Sequence, residues 1–187
     1  MEKGQKAINF SLKDQMNMTI RLSDFIGHKV FLFFFSEVNS LNDQVHMINV
    51  AKEFTHFQQY HVSVLGVCGS TVEQIIQQSH RLYIPYYLLS DADANVRKAY
   101  GVWKQKMTFG KPYWITARTS LLIDETGIVY KVYRRAAVDT NAQEVVAFLQ
   151  HQYEKDEWRK LPRRTKERLR RQHTIDASVN QTKKTHP

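Results

Sequence analysis

The residues best placed to do chemistry begin at Ser40-Leu-Asn-Asp43, where a polar loop after the apolar run Val30–Phe35 gives way to a helical pattern. The spacing is that of a capping box, and a helix start of this kind concentrates unpaired N–H groups and the positive end of the helix dipole. A buried strand, a short loop and a helix N-terminus together form a favoured place for an anion in α/β proteins. Asp43 is therefore either a helix cap or a working carboxylate. His46 lies one turn on and could pair with it, although a surface histidine is the simpler expectation. The single cysteine, Cys68, ends a second apolar run just before Gly69-Ser70-Thr71. A lone thiol excludes an intramolecular disulfide, a CxxC redox pair and a thiolate zinc cluster. Cys68 is expected as a small buried hydrophobe, or alternatively as a reactive thiol if it is exposed. The eight histidines show no metal-ligand spacing, so neither a metal nor another cofactor is expected.

These residues need elements to position them. Alternation in Asn9–Leu12 and Met18–Leu22 predicts an N-terminal β-hairpin, and Val30–Phe35, apolar on both faces, predicts a central strand covered on two sides. A single amphipathic helix is expected from Ser40 to about Tyr60, with Val45, Ile48, Val50, Phe54 and Phe57 as its apolar face. A strand ending at Cys68, a helix over 71–82, a short strand over 86–89 and a helix from Asp91 to Gly101 follow. A polar loop containing Lys111-Pro112 comes next, with Trp103, Tyr113 and Trp114 as core and pocket wall. A hairpin, Ser120–Ile123 and Ile128–Tyr133, and a helix over 141–152 close the pattern. The fold class is an α/β sandwich with a mixed central sheet.

The net charge of +9 is unevenly placed. Residues 159–187 hold ten Lys and Arg against two acids, whereas residues 1–158 are nearly balanced. A domain over 1–153 and a basic extension over 154–187 are expected, the extension helical at first and disordered over its last dozen residues. The stretch Arg159–Arg171 is a candidate contact for nucleic acid or another acidic surface. No apolar run is long enough to cross a membrane. Residues 1–12 lack the pattern of a secretory signal, so a cytoplasmic address is the expectation.

Three collinear strings, KGQKAINFSLKDQMNMTIRLSDF (3–25), LLSDADANVRKAYGVW (88–103) and RTSLLIDETGIVYKVYR (118–134), resemble the peroxiredoxin family (AhpC/TSA type), most of all its bacterioferritin-comigratory or Q-type subgroup. The resemblance implies a thioredoxin-like fold. It also implies a pocket in which a cysteine thiolate at a helix N-terminus, assisted by an arginine, reduces hydroperoxides in a cell's antioxidant defence and is recycled by a thioredoxin-type reductant. Carried onto this chain, the family's Pro-x-x-x-Thr-x-x-Cys motif falls on Ser36, Ser40 and Asp43, and its arginine on Arg118. The resolving cysteine of many relatives would fall at Ile48. The attacking position thus holds a carboxylate, which has no sulfur to oxidise. The resemblance implies an Asp43–Arg118 ion pair and a protein without ordinary peroxidase chemistry, one that binds a protein partner or a small anion at that pocket. A thiol peroxidase that uses Cys68 is the alternative.

Overall fold

The computed structural model describes residues 1–168. The expected disorder of the last dozen residues, and Arg170 and Arg171 of the basic stretch, lie outside the described residues.

Lys29–Phe34 (β3) is the centre of the molecule because it carries side chains that can be buried on both faces. Phe31 and Phe33 point to one side, where Phe31 stacks on Phe57 at 5.0 Å and Phe33 meets Tyr86 edge-on at 5.8 Å. Val30, Leu32 and Phe34 point to the other, into a cluster with Leu65, Leu121, Ile123 and Tyr100. Burying both rows removes a large apolar surface from water. Val62–Cys68 (β4) pairs parallel to β3, and Tyr87–Ser90 (β5) parallel to β4. Thr119–Ile123 (β8) runs antiparallel on the other side of β3 and pairs in turn with Val129–Arg134 (β9). The expected N-terminal hairpin is present as Ser11–Asp14 (β1) and Thr19–Arg21 (β2), joined to β5 at the far edge. The mixed sheet has the order β2-β1-β5-β4-β3-β8-β9. Gly66 in β4 faces Phe33 so closely that a Cβ there would lie 2.7 Å from the ring, so the strand needs glycine at that point.

Four expectations are corrected. The helix after the loop is two helices, Leu41–Lys52 (α1) and Phe54–Gln59 (α2), separated at Glu53 (φ −88°, ψ 1°). The break re-aims the chain so that Phe57 packs on Phe31 while α1 stays over the end of the sheet. The buried side of α1 is Asp43, His46, Met47 and Val50, whereas Val45 and Ile48, read from the sequence as part of the core face, are exposed together with Leu41. Residues 103–116 are not a loop. Trp103–Thr108 (β6) and Lys111–Thr116 (β7) form a separate antiparallel ribbon. Its two-residue turn puts Phe109 (φ 48°) and Gly110 (φ 73°) in the left-handed region that hairpin turns of this length require. Tyr113 and Trp114 are exposed on it and are not core, whereas Trp103 is partly covered.

The other elements lie close to their expected places. Val72–Leu82 (α3) has Thr71 and Gln74 as a reciprocal capping box. The helix expected from Asp91 is only Asn95–Ala99 (α4), because the Asp91 carboxylate instead accepts the N–H groups of Val96 and Arg97 from the preceding turn. The last helix, Asn141–Lys160 (α5), continues past Gln152.

Met1–Val146 forms one compact unit, and the described residues from Ala147 onward belong to a second. Within the latter, Arg159, Lys160 and Arg163 pair with Asp156, Glu157 and Glu167, and residues 163–168 are helical. Among the described residues no helix is long and apolar enough to cross a membrane.

Candidate functional site

The site lies where β3 ends. Phe35 and Ser36 leave the strand still tied to β4, with the Phe35 N–H donating to Val67 O at 3.1 Å and the Gly69 N–H donating to Ser36 O at 2.9 Å. The Val38 N–H donates to Ser70 Oγ, and Val38 itself is buried. These links hold residues 35–40 as a fixed arch. The N–H groups of Ser36 and Glu37 in this arch point at one atom: both donate to Asp43 Oδ2, at 3.1 and 3.2 Å. Asp43 Oδ1 accepts from Arg118 Nε at 3.1 Å. Arg118 stands in the short link between β7 and β8, so antiparallel pairing of β8 with β3 brings it to the same end of the sheet. Asp43 is 1% exposed and the Arg118 side chain 35%.

The expected ion pair is therefore present, but the expected capping box is not. Ser40 makes no side-chain cap, and its N–H goes to Glu37 O instead of to Asp43. Asp43 spends its acceptors on the arch and the guanidinium. That choice also sets the rotation of α1. With Asp43 turned inward, the residues three, four and seven further along must follow it inside, and Leu41, Val45 and Ile48 must face out.

His46 departs from its expectation. It is fully buried, lies edge-on to Phe33 at 5.1 Å, and neither ring nitrogen makes a hydrogen bond. Burial lowers its pKa to about 4; the neighbouring Asn141 side chain and Asp43 oppose this shift, and Arg118 adds to it. The imidazole is thus neutral near pH 7, and because neither ring nitrogen bonds Asp43, no Asp-His couple forms. Asn141 is buried beside it and accepts from Ser120 Oγ at 2.8 Å. The buried pair Ser120 and Asn141 was missed from the sequence, where Ser120 counts only as an inward strand residue. The placement of two polar residues in an apolar hairpin and at a helix start was the available signal.

Cys68 is 0% exposed, and burial pushes its thiol up to about 12, with Ser70 and Arg97 opposing weakly. Ser36 contributes its backbone N–H to the arch, and Ser40 its carbonyl to Gln44 N–H. A second buried pair escaped sequence reading. Arg97 donates through Nε to Asp91 at 3.1 Å, through Nη2 to the Asp91 carbonyl and through Nη1 to Thr116 Oγ1, and it lies 4.5 Å from the Trp103 ring centroid. Gly69 makes room for it, since a Cβ there would fall 2.7 Å from Arg97 Nη1. Its signal was an arginine shortly after Asp91 and close before Trp103.

The mixed sheet and its strand order define a thioredoxin-like fold of the peroxiredoxin type. Residues 3–132 match the AhpC/TSA family, and the chain belongs to that family. It is 28% identical over 155 residues to peroxiredoxin Bcp of Bacillus subtilis, covering 83% of this chain and 99% of the relative. It is 29% identical to peroxiredoxin Bcp of Escherichia coli over 133 residues, covering 71% and 85%. Among solved structures, a cysteine-to-serine mutant of PrxQ from Xylella fastidiosa superposes with a TM-score of 0.77 at 24% identity, covering 82% of this chain and 98% of that one. That likeness establishes the fold.

Proposed function

We propose that this chain is a family member that has exchanged peroxide chemistry for binding. The supporting observation is the Asp43 carboxylate, held by two arch amides and the Arg118 guanidinium where the family resemblance puts the attacking thiolate. A carboxylate there satisfies the same donors that would polarise a peroxide, and it offers no sulfur for a sulfenic acid. Among the described residues Arg118 is engaged through Nε, so its two terminal amino groups can take a small anion or the carboxylate of a protein partner. Beside it, Leu41, Val45 and Ile48 give α1 an exposed apolar face suited to a protein contact. The unpaired thiol fits a reducing, cytoplasmic setting. The basic stretch from Arg159 adds a salt-sensitive attraction to polyanions, nucleic acid included.

The second reading, an antioxidant peroxidase running on Cys68 with a thioredoxin-type reductant, meets a thiol that burial keeps protonated at neutral pH. Peroxide consumption under a thioredoxin or dithiothreitol system separates the two. Wild type and Cys68→Ser are expected to be silent and Asp43→Cys to gain turnover; wild-type turnover that disappears in Cys68→Ser would establish the enzyme.

A further inference from the structure

The β6–β7 ribbon is the part of the described molecule that the pocket does not explain. Its cross-strand pairs sort its side chains onto two faces. One face carries Lys104 opposite Ile115, Lys106 opposite Tyr113, and Lys111 opposite Thr108. The three lysines therefore share one face at successive cross-strand positions, Lys104 and Lys106 on β6 and Lys111 on β7, with a step of about 7 Å along the ribbon. No acid occurs between Trp103 and Thr116, and among the described residues none of these lysines is in an ion pair. Tyr113 is exposed within the row and Phe109 is fully exposed at the tip, where its ring covers nothing. The ribbon is stiffened at its base. Arg97 bonds Thr116 and faces Trp103, and Trp103 stacks on Trp114 at 5.8 Å with the rings 5° apart.

We infer that this ribbon is a binding arm for single-stranded nucleic acid. A row of cations at a regular interval suits a polymer whose phosphates also repeat regularly, and aromatic rings among them offer bases a surface to stack on. An acidic polypeptide would use the lysines but leave Phe109 and Tyr113 idle, and a duplex keeps its bases stacked away from both rings. The rigid base means that little order must be gained on binding.

The test is fluorescence anisotropy of a labelled twelve-nucleotide oligothymidine with the full chain, titrated over salt. The comparison sets wild type against the triple variant Lys104→Gln/Lys106→Gln/Lys111→Gln and against Phe109→Ala/Tyr113→Ala, each with a melting curve that matches wild type. The lysine variant should lower the slope of log affinity against log salt by about 2, three contacts at roughly 0.7 each. The aromatic variant should weaken binding roughly ten-fold or more with the slope unchanged. Equal binding by the lysine variant and wild type would overturn the inference and leave any affinity to the basic extension. Unaltered binding by the aromatic variant, with polyglutamate competing as well as the oligonucleotide, would overturn it in favour of an acidic polypeptide.

Discussion

At the scale of single residues, Asp43 and His46 show how one turn of helix can hold a satisfied charge beside an unsatisfied ring. Asp43→Ala leaves two arch amides and a guanidinium without their acceptor, and a loss of about 2 kcal/mol is expected in urea unfolding. Arg118 is partly in water, so its coupling to Asp43 in a double-mutant cycle should be smaller, about 1 kcal/mol. His46 gives a pH signature of definite sign. Its pKa is about 4 when folded against an ordinary value of 6.5, so below pH 6.5 the unfolded chain takes up the proton first. Stability from this group is therefore undiminished above pH 6.5 and falls as pH drops toward 4, by about 3 kcal/mol in all. Replacing His46 by Phe removes two ring nitrogens that make no hydrogen bond and keeps a ring against Phe33. It should be neutral or stabilising at pH 7 and should flatten the decline between pH 6.5 and 4, as read from denaturation midpoints across that range.

At the scale of elements, helix starts that look alike in sequence differ in what holds them. Thr71 accepts from the Gln74 N–H, and Gln74 returns the bond. Thr71→Ala should cost about 1 kcal/mol. Ser40 opens α1 without a side-chain cap, so Ser40→Ala should change stability by less than about 0.5 kcal/mol. Equilibrium unfolding of the two variants distinguishes these cases, and a larger loss for Ser40→Ala would mean that its hydroxyl has a role at the arch. The same contrast explains α4: Asp91 spends its carboxylate on Val96, Arg97 and the Arg97 side chain, so the chain turns for several residues before a helix forms.

At the scale of the whole chain, the charge is separable from the fold. Eight Lys and Arg and two acids lie beyond Pro162, so a chain ended there keeps a net charge of +3. It should leave a cation-exchange resin at clearly lower salt than the full chain, with the near-ultraviolet signal of the packed aromatic core unchanged. The aromatic stacks around Phe31, Phe33 and Phe57 that produce this signal all lie within Met1–Val146.

Much of this protein was determined locally and could be read as such. The run Lys29–Phe34 can only be an interior strand, β1–β2 and β8–β9 carry their own turn residues, and Asp43 and Arg118 are marked by the family motif around them. What the linear pattern did not contain was the rotation of α1. Hydrophobic spacing alone pointed to Val45 and Ile48 as core, because periodicity counts apolar residues and ignores where an aspartate's acceptors must go. Three donors converging on Asp43 turn the helix the other way, bury His46 without a partner and expose an apolar stripe. The ribbon was hidden for a similar reason. Its strands are rich in lysine and show no clean alternation, and their order comes from cross-strand pairing and from Arg97 at the base. Local propensity and burial of contiguous apolar runs are written in sequence. Contacts between residues far apart, such as Asp43 with Arg118 and Arg97 with Thr116, exist only once the sheet has brought both ends to one edge.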